Sequence, residues 1–158
     1  MSNSVDRRML LRGAGVAGAS LAGVAATSEV ASAHGGHHDA EHGILGAWRI
    51  THTDDPPSGA VGDSIVTFSA GGVLTTEELT DGTLGLGAWR SDGHHFRARF
   101  FETQTGGPSE PTVNVEIRPR GHVHHDHIAG TYSVTIRTTD GKVVGTVTGH
   151  FAGSRIRA

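Results

Sequence analysis

Glycine-containing turns recur at short intervals beyond residue 60, and they separate runs in which apolar and polar side chains alternate. Asp-Gly occurs at 81–82, 92–93 and 140–141, and Ala-Gly-Gly occurs at 70–72. Such sequences accept the positive φ values that tight hairpins require. A two-residue alternation places successive side chains on opposite faces of a strand. The chain is therefore predicted to be an antiparallel all-β protein, and no segment has the spacing of an amphipathic helix.

Eight strands fit between these turns, and side-chain parity gives four of them an apolar face. The predicted strands cover residues 44–53, 63–69, 73–80, 84–91, 94–104, 111–120, 127–138 and 142–157. The residues predicted to face inward are Ile44, Trp48, Ile50 and His52, then Phe96, Ala98, Phe100 and Glu102, then Ile128, Tyr132, Val134 and Ile136, and finally Val143, Val147, Phe151 and Arg155. With no helix to cover a sheet, an eight-stranded up-and-down barrel is favoured over a two-sheet sandwich, because closure removes exposed edges.

The first 33 residues have the features of an export signal. Arg7 and Arg8 precede a Gly- and Ala-rich apolar run, residues 13–26, and small residues bracket a cleavage point after Ala33. This pattern resembles a twin-arginine signal, which implies a secreted or extracytoplasmic protein. The predicted organisation is a signal peptide at 1–33, a flexible His-rich segment at 34–43 and a barrel at 44–158. The alternative is an uncleaved membrane anchor, although the apolar run is shorter than the ~20 residues that span a bilayer.

Charge and composition exclude several partners and sites. Beyond residue 33 the chain keeps 10 of its 13 Lys and Arg and 14 of its 16 Asp and Glu, a formal charge of −4. The arginines are scattered singly along the predicted strands rather than gathered in a stripe, so no nucleic-acid partner is expected. No basic amphipathic segment indicates a membrane surface after signal cleavage. The chain has no cysteine, which excludes disulfides and thiolate metal sites.

Short motifs carry a family resemblance across most of residues 44–158. Gly46-Ala47-Trp48 resembles the Gly-x-Trp signature of lipocalins and the wider calycin superfamily. The spacing is also similar to that of small bacterial lipocalin-like proteins, and the motifs that carry it are Thr67, Phe68 and Gly72, then Gly87 and Trp89, then Gly153 and Arg155. The resemblance implies that Trp48 closes one end of the barrel and that Arg155 lies across it. No disulfide and no flanking helix accompany these motifs, which departs from typical lipocalins.

Histidine is the strongest chemical anomaly of the sequence. All 12 histidines follow residue 33, and they concentrate at 34–42, at 94–95 and at 122–127. Imidazoles at such spacing are ligands for Zn²⁺ or Cu²⁺. The candidate metal ligands are His122, His124, His125 and His127, with His34 as an N-terminal copper ligand after cleavage. Solvated loop residues are the alternative interpretation, and a proton-sensing role is a further one.

An eight-stranded barrel can just enclose a small ligand, and the predicted function is binding of a small, largely apolar molecule. The residues predicted to bind it are Ile50, His52, Phe68, Phe96, Phe100, Glu102, Tyr132 and Val134. His52 and Glu102 are also the candidate acid/base groups. The alternative interpretation is that they are polar side chains at a solvated barrel mouth, with no catalytic role. A cyclase or isomerase in the same cavity, a Zn- or Cu-binding protein, and a barrel filled by its own side chains are the alternatives. No other cofactor is expected, and the protein is predicted to be a monomer or dimer.

Overall fold

The computed structural model describes residues 43–106 and 111–157, and these residues form one closed antiparallel β-barrel. The predicted signal, residues 1–33, and residues 34–42 of the predicted His-rich segment lie outside the described residues. The eight strands are β1 (Gly46–Asp54), β2 (Val61–Ser69), β3 (Val73–Glu78), β4 (Leu84–Asp92), β5 (His95–Gln104), β6 (Val113–His124), β7 (His127–Thr138) and β8 (Val143–Arg155). Each strand pairs with the next, and β8 pairs with β1. The predicted all-β, up-and-down barrel is confirmed. No helix in the described ranges has the length and apolarity needed to cross a bilayer.

The turns lie where the glycines predicted them. Gly71, Gly72, Gly82, Gly93 and Gly141 all have positive φ values, between +59° and +89°. Gly93 lies in the two-residue connection between β4 and β5, and the other glycines lie in connections of three to five residues. Because these short turns fix which strands are adjacent, the chain closes into a barrel by simple succession.

The sixth strand extends four residues beyond its predicted end. It continues to His124 although Pro119 lies within it. The β5–β6 ladder has a gap between the Arg97–Arg120 pair and the Phe100–Ile117 pair, where Pro119 lies and has no N–H to donate. The strand continues because Pro119 still pairs with Tyr132 on its other side.

Side-chain parity places the core inside the barrel as predicted for the first, fifth and seventh strands. The prediction for Val143 is wrong, since this residue is 45 % exposed. The β7–β8 register shifts between Ile136 and Arg137, and Val143 pairs with Arg137 beyond that shift at the rim of the barrel. Further along β8, Phe151 is buried in the core. The predicted inward face of β8 is therefore wrong at the start of the strand, before the register shift, and correct at Phe151.

Trp48 and Arg155 close one end of the barrel. Trp48 is 0 % exposed, and its indole N–H donates to the carbonyl oxygen of Ile44 at 2.8 Å. The guanidinium carbon of Arg155 lies 4.3 Å from the centre of the indole ring, within the range of a cation–π contact. The guanidinium also donates to the carbonyl oxygens of Leu45 and Gly43, each at 2.5 Å, and to the carboxylate of Asp126 at 3.2 Å. The expected arrangement of these two side chains is confirmed.

The two Gly-x-Trp motifs use their glycines for different reasons. Gly46 has a φ of +112°, which a residue with a side chain rarely adopts. Gly87 is a close-approach site, because a Cβ there would lie 2.5 Å from the Cα of Phe100 and would overlap the carbonyl oxygen of Arg99. Trp89 is itself a core residue that packs edge-on against Phe68, with ring centres 5.6 Å apart. In both motifs the backbone therefore requires the glycine, for its positive φ at Gly46 and for the close approach of β5 at Gly87.

We expect Gly87→Ala to destabilise the barrel by about 1–3 kcal/mol, because its methyl group has no space beside β5. Chemical denaturation of the variant and the wild type measures the difference. Gly145→Ala is the matched control, since a Cβ there meets its nearest atom, Cδ1 of Ile136, at 3.5 Å. The control should stay within about 0.5 kcal/mol of wild type. Equal stability of the two variants would contradict the close approach of β4 and β5.

Candidate functional site

A cavity of about 70 Å³ lies inside the barrel. All eight residues that the sequence named as ligand-binding line it, together with Phe151, Ile117 and Ile128 from β8, β6 and β7. Phe96 packs edge-on against Phe68 at 5.5 Å between ring centres and lies 6.1 Å from the ring of Phe151. These rings form an apolar wall towards the end that Trp48 seals. The structure thus gathers the predicted residues around one space.

The opposite part of the cavity is polar, and its first feature is a pair formed by His52 and Glu78. The Nε2 atom of His52 lies 3.1 and 3.2 Å from the two carboxylate oxygens of Glu78. These residues belong to β1 and β3, with β2 between them. His52 reaches across because Gly62 of β2 has no side chain, and a Cβ there would lie 2.5 Å from the imidazole ring. Glu78 was not singled out from the sequence, although counting alternate residues from Leu74 would have placed it inside.

A second polar pair, Thr76 and Glu102, crosses β4 in the same manner. The hydroxyl of Thr76 lies 3.4 Å from a carboxylate oxygen of Glu102, which is 3 % exposed. The strand between them contributes Gly85, where a Cβ would lie 3.1 Å from Cγ of Glu102 and would overlap the Thr76 hydroxyl. His52 and Glu102 therefore share a cavity as predicted, but each has its own hydrogen-bonding partner.

A third pair joins Tyr132 to Asp54 across β8. The phenol donates to one carboxylate oxygen of Asp54 at 2.6 Å, and the hydroxyl of Ser58 donates to the other at 2.9 Å. Gly149, which pairs with both strands, leaves the space that the phenol occupies. Asp54 is 2 % exposed, and its amide donates to the carbonyl oxygen of Ala60 at 2.8 Å. This contact fixes the loop that follows β1 at the end of the barrel opposite Trp48.

The arrangement offers defined chemistry to a molecule in the cavity. The carboxylates of Glu78 and Glu102 accept hydrogen bonds, and the imidazole of His52 can donate or accept a proton. The ring of Tyr132 lies perpendicular to that of His52, with centres 6.2 Å apart. A ligand would meet aromatic and aliphatic surface at one end and acceptor groups at the other.

The first histidine cluster, residues 34–42, lies outside the described residues, and the histidines of the other two clusters lie on the outside of the barrel. His95 faces His122 across β5 and β6, with ring centres 6.5 Å apart, and His124 lies against His125 at 4.3 Å in the turn before β7. His127 pairs with His124 in the same hairpin. Among residues 43–106 and 111–157, no group of three or more His, Asp or Glu is placed to hold a metal ion. His34 lies outside those ranges, and Zn²⁺ or Cu²⁺ binding stays a prediction.

Asp126, the acidic member of the third histidine cluster, is engaged by arginines. Its carboxylate accepts hydrogen bonds from Arg157 and from Arg155. The hydrogen bond from Arg157 and the charges of both guanidinium groups hold the pKa of Asp126 below its ordinary value of 3.8. Asp126 therefore helps to hold Arg155 in place over the ring of Trp48.

Glu116 is the most buried carboxylate on the outer face of the barrel. Its oxygen Oε1 accepts hydrogen bonds from Arg99 at 2.5 Å and Arg118 at 2.7 Å. Burial alone would raise the pKa of Glu116, but the hydrogen bonds and charges of the two guanidinium groups outweigh it and hold the pKa below its ordinary value of 4.5. Ionised Glu116 therefore stabilises the pairing of β5 and β6.

Comparison with known protein families, curated proteins and solved structures finds no significant match to this chain. A function is therefore inferred from the cavity and its side chains.

We expect His52 and Glu78 to be energetically coupled. The variants His52→Ala and Glu78→Ala and their combination form a double-mutant cycle, with stability measured by chemical denaturation. The double variant should be less destabilised than the sum of the single variants by about 0.5–3 kcal/mol, because each single change leaves a polar partner in the cavity. Glu77→Ala, on the outer face of β3, is the control and should be additive with His52→Ala. Additivity for both pairs would contradict the contact.

The ion pairs of Glu116 predict a pH-dependent stability. A carboxyl whose pKa is lowered on folding stabilises the native state above its unfolded pKa of 4.5, and this contribution is lost as pH falls through the folded value. The stability difference between wild type and Glu116→Gln should therefore be constant from neutral pH to about pH 5.5 and shrink below about pH 4.5. Urea denaturation at several pH values measures it. A difference that grows on acidification would contradict the stated direction.

Proposed function

We propose that this barrel binds a small, largely apolar molecule that carries a hydrogen-bonding end. The observation that supports the proposal is the division of one cavity into two parts. Phe68, Phe96 and Phe151 form the apolar wall, and His52, Glu78 and Glu102 lie towards the opposite end. Small-molecule sites combine a mostly apolar lining with a few polar groups that set orientation.

The size of the cavity restricts the enclosed part of the ligand. Its volume is about 70 Å³, about half that of an engineered apolar cavity of about 150 Å³ that binds benzene. The enclosed portion is therefore a group of a few heavy atoms, or a larger group that enters as the phenylalanine side chains change rotamer. A short aliphatic or branched group fits the first condition.

The polar groups restrict the other end of the ligand. Glu78 and Glu102 place two carboxylates beside apolar surface, where a buried acceptor is costly unless it receives a hydrogen bond. Both already accept from the protein, Glu78 from His52 and Glu102 from Thr76. A ligand end with N–H or O–H donors would add to these contacts, so an amine or alcohol is favoured over an acid.

The family and location are part of the same proposal. The stacking of Arg155 on Trp48, with Gly46 in a glycine-specific conformation, supports a relationship to the calycin superfamily. The twin-arginine pattern at Arg7 and Arg8 supports binding outside the cytoplasm by a barrel that is exported already folded.

A cyclase or isomerase activity is the second candidate, and the pairing of His52 with Glu78 favours it. A histidine oriented by a carboxylate inside an apolar cavity can move a proton to or from a bound substrate. Holding a flexible substrate in a reactive shape needs few further groups. Conversion of a bound molecule by fresh protein would distinguish this activity from binding alone.

Xenon and native mass spectrometry test the binding proposal. The full precursor is expressed untagged in a host with twin-arginine export, and the secreted protein is examined for a retained organic mass. Dissolved xenon should bind the cavity and shift the ¹²⁹Xe resonance, as it does in other apolar cavities. We expect Val134→Phe, which fills the cavity, to lose at least about tenfold in xenon affinity and to lose the retained mass.

Ser133→Phe is the matched control, because Ser133 is the exposed neighbour of Val134 on the same strand. Its ring points to solvent, so xenon binding should match that of wild type. Circular dichroism shows whether both variants are folded. Equal xenon binding by Val134→Phe and wild type, or no bound species of any kind in the wild type, would overturn the proposal.

A further inference from the structure

Three arginines that are far apart in the sequence form one row on the outer face of the barrel. Arg90 of β4 pairs with Arg97 of β5, and Arg97 pairs with Arg120 of β6. Neighbouring strands are about 4.8 Å apart, so the three Cα atoms fall within about 10 Å. The strand register therefore aligns three arginines that are scattered in the sequence.

This row has no carboxylate partner among the described residues, and other arginines of the barrel do. Arg49 pairs with Asp63, and Arg99 and Arg118 share Glu116. Within the described ranges, the side-chain hydrogen bond made by this row runs from Arg120 to the hydroxyl of Thr131 at 3.4 Å. Like charges directly opposite each other across strands destabilise a sheet. The row therefore costs the fold stability, and a bound anion would offset that cost.

A second row runs parallel to the first and completes a depression of about 510 Å³. His95 of β5 faces His122 of β6, and Asp92 of β4 pairs with His95. Gly121 and Gly130 also line the depression, and both lie at inward-facing positions of their strands, so it is their backbone that borders the depression. The depression is thus walled by guanidinium groups on one side and imidazoles on the other, with the single carboxylate of Asp92 at its edge.

We propose that this depression binds a small phosphoryl-bearing anion. Guanidinium groups present paired N–H donors that match the oxygens of a phosphate, and the imidazoles of His95 and His122 supply further donors. The row is only three strands wide, which suits one or two phosphoryl groups rather than a phosphate backbone. The chain as a whole has a formal charge of −3, so the positive charge here is local and distinct from the cavity.

Titration of the untagged protein with inorganic pyrophosphate, followed by ¹H–¹⁵N NMR at low salt, tests the proposal. Amides of β4–β6 around Arg97 should shift in a saturable manner, and Arg97→Gln should weaken binding at least about tenfold. Arg49→Gln, an exposed arginine with its own carboxylate partner, is the matched control and should bind as wild type. The melting temperature of Arg97→Gln should equal or exceed that of wild type, since the change removes like-charge repulsion.

Two comparisons separate phosphoryl recognition from general attraction to anions. Sulfate at equal ionic strength should bind more weakly than pyrophosphate, and a short DNA duplex should not bind more tightly than pyrophosphate. Val134→Phe, which alters the cavity, should leave pyrophosphate binding unchanged. The proposal is overturned by absent shifts, by equal weakening in Arg97→Gln and Arg49→Gln, by tighter duplex binding, or by a loss of binding in Val134→Phe.

Discussion

The contact of Arg155 with Trp48 is the interaction on which the remaining structure depends. It joins the last strand to the first, and register places these two residues opposite each other. The guanidinium satisfies carbonyl oxygens of the segment before β1, so it fixes the entry of the chain into the barrel. The fully buried indole closes this end, and the polar groups of the cavity lie towards the other end. A barrel open at both ends would hold no blind apolar pocket.

Glycines inside the barrel decide which side chains meet. A closed eight-stranded barrel has little interior volume, and neighbouring strands would normally separate residues two strands apart. At Gly62, Gly85 and Gly149 the intervening strand offers no side chain, and a polar pair crosses each of these positions. The same residue type thus allows hairpins at the ends of the strands and long contacts across their middle. Replacing these glycines would affect the polar end of the cavity as well as the packing.

Local patterns in the sequence predicted the features that depend on side-chain alternation along a strand and on turn residues. The inward face of β5, with Phe96 and Phe100, follows from alternation alone, and the turns follow from Asp-Gly. The Trp48 seal was available only through the family resemblance. The partner of His52 could not be predicted, because its contact with Glu78 depends on the register across β2. The row of arginines was hidden for the same reason, since residues 90, 97 and 120 become neighbours only when three strands are aligned. Val143 was misplaced because a register shift interrupts the alternation.

Hydrogen exchange at the indole N–H groups tests the central claim most directly, namely that Trp48 seals a closed barrel. The Trp48 N–H is bonded to the carbonyl oxygen of Ile44 and has no solvent exposure. NMR of the native protein in deuterated water resolves its indole signal. The structure predicts that the Trp48 N–H exchanges only through opening that approaches global unfolding in free energy. Exchange at the rate of a free indole under native conditions would contradict the seal and the blind cavity above it.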